Sequence, residues 1–349
     1  MSLSIGIVGL PNAGKSTLFN ALLGRQVAKA ESYPFCTIEP NTGVVEVPDK
    51  RLDKIAEIVE PKKKVPAAIK FVDIAGLVKG AHQGAGLGNK FLSHIREVDA
   101  VLYLLRDFES AVARAGSISP GVDFEVLQTE LILKDLETLQ KIVKKKAKDD
   151  DDKEKKKLAE KLIPGLEKGA LAVDIELSDG EEELMDDLFL LTAKPHMEVI
   201  NVEEESDFDK KEKEFKHLNP IITSAKFEAD LVKLSEEEKE EILKSDYQST
   251  LDKIITRGYK LLDLITFYTI KGGKEARAWP IKKDSTALTA ADLVHSDFAE
   301  KFIRAEVVNY QEFVDQGGWL AAKNAGKVIT EGKEYQVIDG DIVEFKIGQ

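Results

Sequence analysis

The sequence is short of cysteine and of long apolar runs, and it has no excess of positive charge. Cys36 is the single cysteine among 349 residues, so no disulfide can form within the chain and a reducing compartment is expected. The longest apolar stretches, such as Ala100 to Leu105, fall far short of the ~18–20 residues that cross a bilayer. No membrane partner is expected. The segment from Ser4 to Gly9 shows neither a basic leader nor a cleavage site, so the expected location is cytoplasmic. A net charge of −13 argues against nonspecific nucleic-acid binding over the whole surface, and nothing points to DNA specificity. A local basic face remains open. No internal repeat is visible.

What is present describes a folded, soluble chain: 43% hydrophobic and 32% charged residues. Its length suggests two or three domains. The runs at 4–8 and 100–105 read as buried strands, those at 68–72, 196–202 and 221–223 as further strands, 44–47 as an alternating strand, and Lys15 to Leu23 as a helix. Strands alternating with helices predict a mainly parallel α/β sheet with ligands at the strand C-terminal ends. Apolar residues at helical spacing over 122–145 and again over 158–171 predict an inserted helical hairpin. The charged tract 144–157 is its expected solvated tip. Further helices are expected at 181–191 and 235–263. Short strands follow, ending in a hairpin over 334–344 through Asp339-Gly340.

Gly9-Leu-Pro-Asn-Ala-Gly14-Lys15-Ser16 fits G-x-x-x-x-G-K-[ST] between a strand and a helix. Glycines let the backbone curl so that successive N–H groups meet phosphate oxygens, and the helix N-terminus adds its positive dipole. The expected phosphate contacts are Asn12, Ala13, Gly14, Lys15, Ser16 and Thr17, with Lys15 stabilising charge and the Ser16 hydroxyl ligating Mg²⁺. Asp73-Ile-Ala-Gly76 closes a later strand. There Asp73 can hold the Mg²⁺ shell and the Gly76 amide can meet a γ-phosphate. Thr37, between the two motifs, is a candidate switch and third Mg²⁺ ligand, or a plain loop residue. The glycine-rich segment 76–90 suits a nucleotide-sensing loop or a flexible connection.

Three segments carry a family resemblance: residues 9–22, 33–43 (Tyr-Pro-Phe-Cys-Thr-Ile-Glu-Pro-Asn-Thr-Gly) and 71–81 (Phe-Val-Asp-Ile-Ala-Gly-Leu-Val-Lys-Gly-Ala). With Gly86-Leu-Gly-Asn-Lys and C-terminal matches such as His295-Ser-Asp-Phe, they resemble the YchF/Obg-like ATPases among the Obg-related GTPases. The resemblance implies a G domain over 1–118 and 194–263. It also implies a coiled-coil-like helical insertion over 119–193 and a C-terminal α+β TGS domain over 264–349.

Ordinary GTPases read guanine with Asn-Lys-x-Asp, whose aspartate accepts from two guanine donors that adenine lacks. Here the corresponding stretch is Asn201-Val202-Glu203-Glu204. Val202 replaces the lysine, and Glu204 is one methylene longer than aspartate. Charged hydrogen bonds contribute about 1.5–3 kcal/mol each, so misplacing two weakens guanine preference by about 3–6 kcal/mol. A shifted strand would still let a glutamate reach guanine, so GTP stays open on chemistry alone, and the resemblance implies ATP. Asn201 is expected to orient the base or hold the adjacent loop. Ser224 and Ala225 mark a second base-contacting loop, a helix N-cap, or both.

Leu77 stands where Ras-like enzymes place the water-orienting glutamine, so slow intrinsic hydrolysis is expected. Asn12 resembles the asparagine that helps bind K⁺ in related GTPases, or is a turn residue only. Some family members use a loop histidine after the strand at 101–105. This chain has none between Arg106 and Glu125; Arg114 is the nearest cationic candidate, His82 is a substitute or a solvated loop residue, and no general base is assigned. In the C-terminal part, basic residues such as Lys271, Lys274 and Arg277 lie in sequence near Tyr259, Tyr268 and Trp279. They suggest an RNA-binding sheet or a solvated face over buried aromatics. Resemblance to TGS domains favours RNA or ribosome contact.

Overall fold

The computed structural model describes residues 3–25, 41–74, 87–109, 119–243 and 247–348. The expectations for Thr37, Cys36, Gly76, Leu77, His82 and Arg114 fall outside them. The chain forms two compact units; of the described residues, the first takes those up to 43 together with 70–254, and the second 44–69 with 255–348. The described strands are β1 (Ser4–Val8), β2 (Thr42–Glu46), β3 (Lys63–Val65), β4 (Ala68–Asp73), β5 (Ala100–Asp107), β6 (His196–Val202), β7 (Ile221–Thr223), β8 (Leu264–Lys271), β9 (Glu275–Lys282), β10 (Phe302–Asn309), β11 (Ile329–Glu331) and β12 (Asp341–Ile347).

The first sheet has the order β2-β4-β1-β5-β6-β7. From β4 to β7 its strands pair in parallel. Parallel strands covered on both faces need continuous apolar sequence, and β1 is buried at every position. One face packs Tyr103, Leu105, Ile200 and Val202 against Phe91, Ile95, Leu127 and Leu131. Chain reversal at the end of each strand leaves the loops after β1, β4, β6 and β7 along one edge, where α/β folds hold their ligands.

The helical insertion is present as Pro120–Lys144 and Asp150–Glu167, packed through Leu139, Leu158, Leu162 and Leu166. The charged tip is shorter than expected because most of the aspartate run is helical. Asp149 caps it by accepting from Asp152 N (2.8 Å), and Asp150, Asp151 and Asp152 fill the first turn. Acids there oppose the positive end of the helix dipole. Lys153–Asp150 and Lys155–Asp151 add pairs one turn apart. Asp135 ties the insertion down, accepting from Leu191 N (2.9 Å), Thr192 N (2.8 Å) and Thr192 Oγ1 (2.7 Å).

The second sheet has the order β11-β10-β12-β8-β9-β3. Residues 44–69, read from sequence as part of the first domain, belong to this unit. β3 pairs in parallel with β9, and Arg51 bridges Asp49 (3.1 Å) and Asp339 (2.8 Å). The strand read at 44–47 does join the first sheet as β2, whereas β3, which carries the segment into the second sheet, was not read from the sequence. The expected hairpin over 334–344 is absent. Only β12 forms, antiparallel to β10 and parallel to β8, while Gln336 makes one isolated bridge to Thr286. The helices expected over 181–191 and 235–263 are also shorter, at Asp179–Asp186, Glu236–Ile242 and Thr250–Leu261.

The aromatics proposed for RNA stacking are core residues. Tyr268 is fully buried with its hydroxyl on Asp49. Tyr259 donates to Ile265 O at 2.9 Å. Trp279 donates to Thr269 Oγ1 at 2.9 Å beneath the Arg277 guanidinium. The alternative of buried aromatics under a charged face holds for all three.

Candidate functional site

The loop Gly9–Ser16 leaves β1 and enters the helix Lys15–Arg25. Its two glycines are sterically required. A Cβ at Gly9 would lie 2.5 Å from Leu104 O, and one at Gly14 would lie 2.3 Å from Asn201 Nδ2, with φ already at +95°. Asn12 has φ +63°, a left-handed conformation that asparagine tolerates better than most residues. The turn reading accounts for this conformation, and the K⁺ reading is a separate matter. Ala13 is buried, whereas Asn12, Ser16 and Thr17 are exposed along the loop and first helical turn.

Lys15 folds back onto the loop, with Nζ donating to Gly9 O (3.0 Å) and Leu10 O (3.0 Å). Burial holds its pKa below the usual lysine range, against the opposing pull of Asp73. An ammonium ion kept this dry is poised to exchange carbonyl dipoles for phosphate charge. Ser16 Oγ donates to Asp73 Oδ2 at 2.9 Å, so β4 and the loop bring a hydroxyl and a carboxylate side by side. Two hard oxygen donors suit Mg²⁺, which takes few protein ligands and completes its shell with water and phosphate. Among the described residues no cluster of three or more His, Cys, Asp or Glu forms a metal cage.

Asn201, at the end of β6, joins two loops. Its Nδ2 donates to Ala13 O (3.0 Å), and its Oδ1 accepts from Ala225 N (2.9 Å). Of the two roles expected for it, loop holding is the one visible. Ser224 caps the helix Ala225–Leu231, accepting from Phe227 N at 3.4 Å. The fold thus gathers the loop after β1, Asp73, Asn201 and the Ser224–Ala225 turn along one sheet edge.

Known proteins share the sequence and fold that carry these loops. Residues 4–159 fit a family model described as a 50S ribosome-binding GTPase. Residues 264–348 fit the model YchF-GTPase_C, described as a protein of unknown function. A protein named ribosome-binding ATPase YchF from Bacillus subtilis (strain 168) is 44% identical over 365 residues, covering 99% of each chain. The chain belongs to the YchF family. A YchF of the same name from Escherichia coli O157:H7 is 44% identical over 364 residues, again covering 99% of both. The solved structure of the Schizosaccharomyces pombe YchF GTPase matches with a TM-score of 0.87 at 36% identity, over 99% of this chain and 98% of that one. The fold is therefore the YchF one, a P-loop G domain with a mostly parallel sheet and a C-terminal domain.

In this YchF chain, the stretch that corresponds to the guanine-reading motif closes β6 and enters a turn. Val202 is 3% exposed and packs into the apolar cluster beneath the sheet. Glu204 lies in an exposed turn, and it is Glu203 that reaches the end of β5, accepting from Glu109 N at 3.4 Å. Sequence reasoning also passed over Arg106, which pairs in register with Asn201 across β5 and β6. Arg106 is 2% exposed, and its Nε has no hydrogen-bond partner among the described residues. Its signal was a cation directly after the apolar run Ala100 to Leu105, followed by Asp107 at the end of β5.

Proposed function

We propose that the chain binds and hydrolyses ATP in preference to GTP, with Mg²⁺, and couples the nucleotide cycle to the ribosome. The carrying observation is the contact between Ser16 and Asp73 (2.9 Å) beside the buried Lys15. This is the constellation that phosphoryl transfer needs around a β,γ-phosphate. Asn12, Ala13, Gly14, Lys15, Ser16 and Thr17 would hold the phosphates, joined by Gly76, and Asn201, Val202, Glu204, Ser224 and Ala225 would border the base. Mg²⁺, held by Ser16, Asp73 and Thr37, would offset charge on the phosphate oxygens. Asn12 would be the residue to test for K⁺, by comparing turnover in potassium and sodium.

ATP preference rests on the buried Val202 and the displaced glutamates, which leave guanine without its two-point acceptor. The ribosomal role rests on relatives named ribosome-binding ATPases, and a cytoplasmic location follows from that partner. The C-terminal part, 264–348, is read as a TGS-type RNA-contacting domain. A GTPase reading draws support from the Schizosaccharomyces pombe relative, which is named a GTPase, and from the family model over residues 4–159. Calorimetry with Mg·ATP and Mg·GTP, with and without ribosomes, separates the two. Tighter ATP binding and ribosome pelleting support the proposal, whereas GTP binding tighter by tenfold or more overturns the ATP assignment.

A further inference from the structure

On one face of the second sheet lies a slot of about 230 Å³, lined by Ile270, Gly272, Trp319, Ile342, Val343 and Glu344. Pockets for drug-sized ligands run to ~300–1,000 Å³, so this one suits a single flat group. Trp319 opens the helix Trp319–Asn324, is half-buried and lines the slot. Glu344, held by Lys346, supplies a carboxylate acceptor at the wall.

Lysines crowd one end. Gly272 belongs to the β8–β9 turn, closed by Lys274 N donating to Lys271 O (2.7 Å), and β3 is stitched to that turn through Lys62 N to Gly273 O (3.2 Å). Lys62, Lys271 and Lys274 are thereby brought within one turn of the slot from segments far apart in sequence. All three are exposed, and none has a side-chain hydrogen bond or ion pair among the described residues. Lys64 and Lys346, by contrast, are paired with Asp53 and Glu344. The nearest carboxylate on the ladder is Glu275, opposite Lys271 and Lys63, and it forms no ion pair with either. In a chain of net charge −13, unpaired lysines beside a half-buried indole call for an anionic partner with a flat ring.

We propose that this slot receives one unpaired RNA base, stacked on Trp319, with the flanking phosphates on Lys271, Lys274 and Lys62. The inference rests on the ribosomal reading above and specifies where single-stranded RNA docks. Stacking on an aromatic side chain and phosphate contact by lysine are the usual division of labour in single-strand binding. Glu344 accepts from an exocyclic amino group, which adenine and cytosine carry and uracil lacks.

The test uses the full chain and a fluorescein-labelled oligoadenylate, with oligouridylate and a double-stranded RNA as competitors. Trp319→Ala weakens oligoadenylate binding by ~5–150-fold, the range for losing one stacked base, and Trp319→Phe restores most of it. Lys271→Gln with Lys274→Gln flattens the log–log salt dependence by roughly 1–1.5. ATP turnover is unchanged in all of them. RNA also quenches the indole emission of the wild-type chain, a signal that Trp319→Phe removes and that needs no destabilising variant. Unaltered oligoadenylate binding by folded Trp319→Ala overturns the slot, as does capture of an acidic peptide in place of RNA. If wild-type protein pellets with ribosomes in that same case, the ribosomal reading survives the failure of the slot. Absence of pelleting brings down the parent reading itself.

Discussion

Asn201 Nδ2 lies 3.0 Å from Ala13 O while its Oδ1 lies 2.9 Å from Ala225 N. One side-chain amide thus locks the phosphate loop to the turn after β7. All three residues are nearly or fully buried, so neither backbone group has water as an alternative partner.

Asn201→Ala should therefore cost stability and affinity together. Each buried backbone group left unpaired costs about 1–3 kcal/mol, and the loosened loop should lower ATP affinity by about 10–100-fold. Asn201→Asp keeps the acceptor for Ala225 N but turns a carboxylate oxygen toward Ala13 O, and should be no better. Thermal melting and calorimetry on both variants decide this; wild-type affinity in Asn201→Ala would refute the clamp.

Lys15→Met should separate stability from binding. Because the folded-state pKa of Lys15 is lowered by burial, its charge opposes folding of the nucleotide-free chain. The cost is fully present below the folded pKa and is relieved as pH rises toward the unfolded value of 10.5. The methionine variant should melt higher than wild type without nucleotide, by a margin that shrinks at alkaline pH. It should lose at least ~100-fold in ATP affinity through missing charge-assisted bonds of about 1.5–3 kcal/mol each. A lower melting temperature across the whole pH range contradicts this account.

Ser16→Ala and Asp73→Asn should both raise the Mg²⁺ concentration needed for half-maximal turnover, by about tenfold or more, since each removes one of few protein oxygens around the ion. The pair at 2.9 Å predicts strong coupling. The double variant should be far less impaired than the product of the single effects. A Mg²⁺ titration of turnover on all three gives the answer, and simple multiplication of effects speaks against a shared ion.

These tests concern the part of the molecule most legible in the sequence. Gly9, Gly14, Lys15, Ser16 and Asp73 stand at the fixed spacing that the proposed phosphate and metal chemistry would demand, and that spacing is readable from residue types alone. The parallel strands were legible because burial on both faces demands unbroken apolar runs, as in Ala100 to Leu105. Packing partners leave no such trace. Nothing local to Lys63–Val65 says that it pairs with β9 rather than staying in the first sheet. Composition around Trp279 and Trp319 does not say which indole is covered; the structure buries the first beneath Arg277 and leaves the second partly open. The run at 149–152 reads as a solvated tip because charge counts ignore capping geometry, and Asp149 uses its charge to start a helix.

Asp135 should prove a main tie between the helical insertion and the strand that follows it. It is fully buried and accepts three hydrogen bonds from Leu191 and Thr192. Asp135→Ala strands two backbone N–H groups and a hydroxyl, for an expected loss of about 2–5 kcal/mol. Urea denaturation measures it. A loss below about 1 kcal/mol would mean that water replaces the carboxylate and that the insertion is held by its apolar contacts alone.

His196 gives the first unit a pH-dependent contribution at the start of β6. Burial alone would depress its pKa, but Glu198, 3.3 Å away, and the more distant Asp174 outweigh that and hold it above the ordinary 6.5. The rings of Tyr103 and Phe124 close around it at 5.6 and 6.3 Å. A raised folded-state pKa means that the protonated ring stabilises the fold fully below pH 6.5, and that this contribution fades as pH rises through the folded value. His196→Gln should therefore be less stable than wild type in mildly acidic buffer, by about 1.5–3 kcal/mol for a lost charged hydrogen bond, and approach it in alkaline buffer. Melting curves for the two proteins at matched ionic strength test the sign, and a gap that widens with pH would show that neutral His196 is the form the fold prefers.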